Sequence, residues 1–338
     1  MNKTWKYLIF CFFIILFFIF FNYQKEILIK NESQNFNTLN ISKNLDLKEN
    51  LSNNQNNFKE LKLFFIGDIM LARGVEQKIL KNGNDFLFPF KKIINYLNSF
   101  DYVIGNLEGQ ITLNNKKIGG IYSFRMKPEA AWALAQANIK IVNLANNHML
   151  DYDFRGFLDT LENLNNEHIL YFGNSYEPLI VVKENTKIGF LGFTEFLKNF
   201  EVNEEKNKVG IAIIRDNLCQ VIQNAKEKTD ILIISFHWGE EYQKLANDFQ
   251  RKIAKEAIDC GGDLIIGHHP HVIQDIEKYN GKYIFYSLGN FIFDQNFSKE
   301  TMEGGGVEVI IKDKKIENIY FRKFYLNNDF QIEKLMTN

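Results

Sequence analysis

The chain has 338 residues, 46% hydrophobic and 24% charged, with 40 Lys+Arg against 41 Asp+Glu and a net charge of -1. That length holds one large domain or two small ones and buries a core without disulfide staples, while ordinary counts of Gly (21) and Pro (4) exclude collagen-like and fully disordered classes. No basic excess exists to neutralise a phosphate backbone, which argues against a nucleic-acid partner.

The N-terminus, MNKTWKYLIFCFFIILFFIFFNYQK, sets Lys3 and Lys6 before an uninterrupted apolar run from Tyr7 to Phe21. Trp5 and Tyr23 flank the run as interfacial aromatics do. As a helix, Trp5 to Tyr23 extends about 28 Å, close to the hydrocarbon thickness of about 30 Å. There is no small-x-small cleavage site and no lipobox-like residue before Cys11. An uncleaved transmembrane signal anchor is therefore expected over residues 7–23, with a cleaved signal peptide as the alternative. The charges before the span make residues 1–6 a short cytoplasmic N-terminus and the remainder extracytoplasmic, a single-pass arrangement in the cell membrane. Residues 24–59 read as an Asn-rich flexible tether, with ten Asn between positions 31 and 59.

From residue 60 the pattern changes. Apolar runs of four to six residues recur, each ending in a polar cluster: LKLFFIGDIM (61–70), DYVIGNLEG (101–109), IKIVNLANNHMLD (139–151), KIGFLGFTEF (187–196), DILIISFHWGEE (230–241), DLIIGHHPH (263–271) and KYIFYSLGNFIFD (282–294). Such runs suit strands buried on both faces. Helical patterns separate them at PEAAWALAQAN after a first-turn Pro128, at 154–165 and at 247–261, where Gly261 is a stop signal. VEVIIKD and IENIYFRKFYL form a closing strand pair around the hairpin turn KDKK (312–315). The class is α/β with some antiparallel pairing. Cys219 and Cys260 have no metal-ligand spacing; two buried free thiols are the expectation, with a pair between them as the alternative that sequence alone does not decide.

In such folds ligands collect at the carboxyl ends of strands, where the polar clusters sit. Five of six histidines fall there (His148, His237, His268, His269 and His271), with Asp68, Glu108, Asn106, Asn146, Asn147 and Asn290 in equivalent places. His168 stands apart and reads as a structural residue. Glu240 and Glu241 read as a solvated face, Glu240 being the one with reach toward the cleft. Asn290 fits a turn. An oxygen and imidazole set without thiolate suits divalent Mn, Fe or Zn. Six or more ligands leave room for two divalent metal ions about 3.5–4 Å apart, which lower the pKa of a shared water and stabilise attacking and leaving oxygens at phosphorus.

The segments GDIMLARG, GNLEG, LANNHMLDY, FHWGEEY, GHHPHV and SLGNFIFD resemble, in order from about Leu61 to Asp294, the motifs of capsule-synthesis CapA (poly-γ-glutamate biosynthesis) proteins, which are related to the calcineurin-like metallophosphoesterases. The resemblance implies a metallophosphoesterase-like four-layer α/β/β/α sandwich of two mixed sheets over residues 60–326, followed by a C-terminal tail at 327–338. It implies metal-ligand roles for Asp68, Glu108 (as bridging acid, with Asn106 competing), Asn147, His237, His269 and His271. His148 corresponds to the histidine that contacts substrate and protonates the leaving group. His268 is a neighbour with no ligand role. Where the related enzymes carry a second-position His, this chain has Met70, which removes one ligand. Arg73 is a candidate for pairing with a substrate anion, and Asp151 for orienting His148. The expected function is that of a membrane-anchored protein of capsule or poly-γ-glutamate biosynthesis with metal-dependent hydrolase chemistry, whose partners are an anionic polymer or phosphoester substrate, the membrane and other membrane-bound capsule-synthesis subunits. The alternatives are a non-catalytic component of a synthesis or export complex and a hydrolase of amide or γ-peptide bonds.

Overall fold

The computed structural model describes residues 60–197 and 210–336. The expected signal anchor at 7–23 and tether at 24–59 lie outside the described residues. No helix among the described residues is long and apolar enough to cross a membrane.

The first half carries β1 (Leu61–Ile69), β2 (Tyr102–Leu107), β3 (Gln110–Ile111), β4 (Arg125–Met126), β5 (Ile139–Asn143), β6 (Leu170–Phe172), β7 (Leu179–Lys183) and β8 (Thr186–Thr194). The second half carries β9 (Ile231–His237), β10 (Leu264–His268), β11 (Ile276–Tyr279), β12 (Lys282–Phe285), β13 (Asn290–Ile292), β14 (Glu303–Lys312), β15 (Lys315–Leu326) and β16 (Ile332–Met336). One sheet runs β16-β15-β14-β1-β2-β5-β6, with β13 also pairing β1; a second runs β11-β12-β10-β9-β8-β7. Both are mixed. β1 is parallel to β2 and β13 but antiparallel to β14; β8, β9, β10 and β12 are parallel, with antiparallel β7 and β11 at the edges.

The continuous apolar runs have a physical reason. Leu63, Phe65, Ile104, Ile141, Val307 and Val309 of the first sheet face Phe190, Ile231, Ile233, Leu264, Ile266 and Phe285 of the second. Each such side chain taken from water contributes about 1.5–3 kcal/mol. The opposite face of the second sheet packs Leu191, Phe193, Leu232, Ile234 and Phe236 against Leu218, Ile222, Ala254 and Ile258 of the helices Leu218–Lys226 and Asp248–Asp259. On the outer face of the first sheet, Phe64 stacks on Phe100 at 4.8 Å and meets the edge of Tyr96 at 5.4 Å, beside the helix Ile94–Leu97. The layers are thus helix, sheet, sheet, helix. The helix Asp248–Asp259 starts at a capping box between Asn247 and Gln250, which satisfies two orphan N–H groups.

Two expectations are corrected. The stretch 327–338 is not simply a tail: β16 pairs antiparallel with β15 and extends the first sheet. Cys219 and Cys260 are not free thiols but a disulfide. Cys219 lies in the first turn of one outer helix and Cys260 caps the C-terminus of the other. Packing both helices on one sheet face brings their Cα atoms to 5.2 Å, which no local spacing encodes. Loop closure across a separation of 41 residues predicts about 4 kcal/mol of stabilisation. Cys219→Ser/Cys260→Ser should therefore unfold at clearly lower urea than the oxidised protein and match the wild type under reductant. Identical midpoints in all three would remove the bond's contribution.

Candidate metal centre

Parallel register aligns the strand ends. In the first sheet Asn143 pairs with Asn106, Asn106 with Asp68, and Asp68 with Asn290. In the second, Thr194 pairs with His237 and His237 with His268. A row of polar residues from each sheet thus meets at one rim. Gly67 permits a close approach: a Cβ there would stand 1.9 Å from the Gly289 carbonyl oxygen, which accepts from Asp68 N–H at 3.0 Å.

One group unites Asp68, Glu108 and His237, all fully buried, with one ligand-type atom of each within 4.8 Å of the others. Asp68 Oδ1 accepts from Asn106 Nδ2 at 2.9 Å, and His237 Nε2 meets Asn147 Oδ1 at 2.8 Å. Asn106 Oδ1 in turn accepts from Asn143 at 3.1 Å. Asn106 is therefore a hydrogen-bond hub that orients its neighbours, and Glu108 is the residue with unengaged oxygens: neither Oε1 nor Oε2 has a hydrogen-bond donor. A buried carboxylate without donors is costly, and a divalent cation is the partner that its geometry and the surrounding imidazoles fit.

A second group holds Glu241, His269 and His271 within the same 4.8 Å limit. His271 Nδ1 bonds Asn290 Oδ1 at 2.9 Å, so its Nε2 faces Glu108 Oε1, 3.5 Å away. Asn290 is thus an orienting partner for a candidate ligand, and it opens strand β13 where the sequence suggested a turn. His268 is closer to the centre than expected of a bystander, its Nδ1 standing 3.3 Å from Asp68 Oδ1. Phe196 lies against His269, ring centroids 4.5 Å apart and the planes tilted by 52°. The sequence reading missed Glu241; it is this residue, not Glu240, that reaches the cleft.

His148 sits at the edge of the cluster with Nε2 3.6 Å from Glu108 Oε1. Its Nδ1 bonds Asp151 Oδ2 at 2.8 Å, and its ring lies against Phe124 at 3.9 Å between centroids. Asp151 is itself fixed, accepting from Phe124 N–H at 2.8 Å through Oδ2. Arg73, the candidate for pairing with an anion, is engaged by an acid of this chain. Its Nε and Nη2 both meet Asp294, each at 3.0 Å, and its guanidinium lies over Phe124. Met70 is buried, and its sulfur accepts from Ala72 N–H at 3.1 Å, turned onto the chain.

Burial sets the charge states. It holds the Glu108 carboxyl well above its usual range, with repulsion from Asp68 adding to the rise and His271 opposing it. Burial would raise Asp68 too, but the adjacent His268 and His271 imidazoles bring it well below the usual range. His271 is pushed up to about 9: burial opposes its charge, and Glu108 and Asp68 override burial. Burial, reinforced by neighbouring imidazoles, lowers His237 strongly and His269 to about 3. His237 and His269 are therefore neutral at pH 7, the form in which imidazole is a ligand.

The sequence profile of the family described as bacterial capsule synthesis protein PGA_cap matches residues 62–295. The chain is 36% identical over 246 residues to "PGA biosynthesis protein CapA" of Bacillus subtilis (strain 168), covering 70% of this chain and 64% of that protein. It is 32% identical over 269 residues to "Capsule biosynthesis protein CapA" of Bacillus anthracis, covering 75% of this chain and 65% of that protein. The matched region thus spans just under two thirds of each relative. A solved structure described as a novel phosphatase from Mycoplasma pneumoniae aligns at 15% identity over 79% of this chain and 94% of that one, with a TM-score of 0.48, too distant a likeness to support shared chemistry. With the family profile spanning 62–295 and both relatives above 30% identity, the chain belongs to the bacterial capsule synthesis protein family.

Proposed function

We propose that the protein is a metal-dependent hydrolase of the phosphoester type, anchored in the cell membrane with its domain outside, acting in the production of capsule or of an anionic polymer such as poly-γ-glutamate. The observation that carries the reading is Glu108: a fully buried carboxylate with no hydrogen-bond donor on either oxygen, grouped with Asp68 and His237 so that one ligand-type atom of each lies within 4.8 Å of the others. Asp68, Glu108, Asn147, His237, His269 and His271 would hold the divalent cation or cations. When bound, such ions supply Lewis acidity and a nucleophile active at neutral pH.

The chain's own residues supply the rest. His148 presents Nε2 toward the cluster because Asp151 engages Nδ1, so it is placed to give a proton to a leaving oxygen. Phe124 fixes the plane of that ring, and Phe196 lies against His269. The outward orientation is supported by Lys3 and Lys6 before the apolar run and by the Cys219–Cys260 disulfide, a bond that persists in oxidising compartments.

The test is to strip the full chain with chelator and assay a generic phosphodiester before and after Mn²⁺ addition, counting bound metal in parallel. Activity that appears only with metal is expected. Bound metal with no turnover would overturn the phosphoester reading in favour of a scaffold, or of amide or γ-peptide cleavage if the polymer itself is cut. His269→Ala/His271→Ala should also abolish polymer production in cells; intact production would remove the cluster from the biological role.

A further inference from the structure

The resemblance to metallophosphoesterases calls for an imidazole at position 70, and the chain has Met70 with its sulfur turned onto the Ala72 N–H. The set is therefore one ligand short of what the resemblance implies unless another residue supplies it. The loop after β9 offers one. Trp238 is fully buried with Nε1 donating to the Tyr286 carbonyl at 3.0 Å, and Gly239 turns the chain at φ +86°. Tyr242 N–H then donates to the Pro270 carbonyl at 2.8 Å. That backbone bond clips residue 241 beside the His269-Pro270-His271 loop, and the Glu241 carboxylate comes within 4.8 Å of both imidazoles. Independently, His269 is buried, only 6% exposed, and its Nδ1 has no hydrogen-bond partner.

Resting on the metal-dependent reading above, we propose that Glu241 is a cation ligand that takes the place of the histidine absent at position 70 and, with His269 and His271, completes a second ion site. The two sites differ in access. Asp68, Glu108 and His237 are all buried, whereas Glu241 is exposed. A cation among the first three is enclosed, and one held by Glu241 exchanges with solvent. Uptake is then stepwise, one tight and one weaker.

The experiment titrates the chelator-stripped full chain with Mn²⁺ by calorimetry and counts free Mn²⁺ by electron paramagnetic resonance. Wild type should take up two ions per chain in two distinguishable steps. Glu241→Gln keeps the shape of the side chain and removes its charge; it should weaken the second step at least tenfold while leaving the first within threefold. Met70→His/Glu241→Gln should restore the second step. If Glu241→Gln binds two ions with affinities within threefold of wild type, Glu241 is not a ligand. If the second step is lost but Met70→His does not restore it, Glu241 does not stand in for position 70. A wild type that binds a single ion, unaffected by Glu241→Gln, overturns this inference and leaves the hydrolase reading intact. A wild type that binds none overturns both.

Discussion

Glu108→Gln is expected to abolish tight cation binding and, in the metal-free protein, to raise stability. The two effects have one cause. Glu108 is fully buried with no donor on either oxygen, and burial holds its carboxyl well above the ordinary range. For an acid with a raised folded-state pKa, the folded form holds its proton more tightly than the unfolded chain. The resulting penalty is absent below the unfolded pKa, begins as pH rises through it, and reaches its full size above the folded pKa. His271, raised to about 9 by the same neighbour, takes part in the same proton balance. Gln carries no charge to desolvate, so the metal-free variant should gain about 1–3 kcal/mol near neutral pH and little at pH 4. Thermal melts at both pH values, with chelator and with excess Mn²⁺, read this out. Wild type should gain about 2.7 kcal/mol at a metal concentration one hundred times its Kd, and the variant should gain essentially nothing. A variant still stabilised by Mn²⁺ would show that Glu108 is not the carboxylate that the cation needs.

The second large effect is on catalysis. His148→Ala should lower kcat by about 10²–10⁴-fold with KM nearly unchanged, because proton transfer to the leaving group acts only in the transition state. Asp151→Asn should fall in the same range, since an amide does not hold Nδ1–H as a carboxylate does while Nε2 carries the proton to be given. The double variant should be no worse than the worse single one. A leaving group that needs no proton, such as p-nitrophenolate, should shrink the loss in all three. Additive losses, or losses insensitive to the leaving group, would count against the pair acting as one unit.

Much of this was legible in the sequence because parallel strands buried on both faces must be apolar throughout, so polarity can return only where they end. Asp68, Glu108, Asn147, His148, His237, His269 and His271 announce themselves by that break, and the structure brings all seven to one rim. What stayed hidden depends on contacts between distant segments. Glu241 looked like solvated charge because its placement follows from the backbone bond between Tyr242 and Pro270. Arg73 looked available for an anion because Asp294, 221 residues away, is invisible as its partner. Cys219 and Cys260 meet only through helix packing. The helix Arg73–Lys81 buries just Val75 and Ile79, too little periodicity for nine residues to stand out. β16 contributes a short outer strand whose pairing is set by β15.

The division of the cluster between the two sheets has a mechanical consequence. Asp68 and Glu108 ride on β1 and the turn after β2, while His237, His269 and His271 ride on β9 and the turn after β10. Neither layer alone can assemble the set, so a cation held there would tie the two layers together at one end of the sandwich and leave the far end untouched. Splaying at that end, the motion by which such a sandwich first admits solvent, becomes the fluctuation most sensitive to occupancy. A cation bound across the layers would thereby double as the latch on its own scaffold.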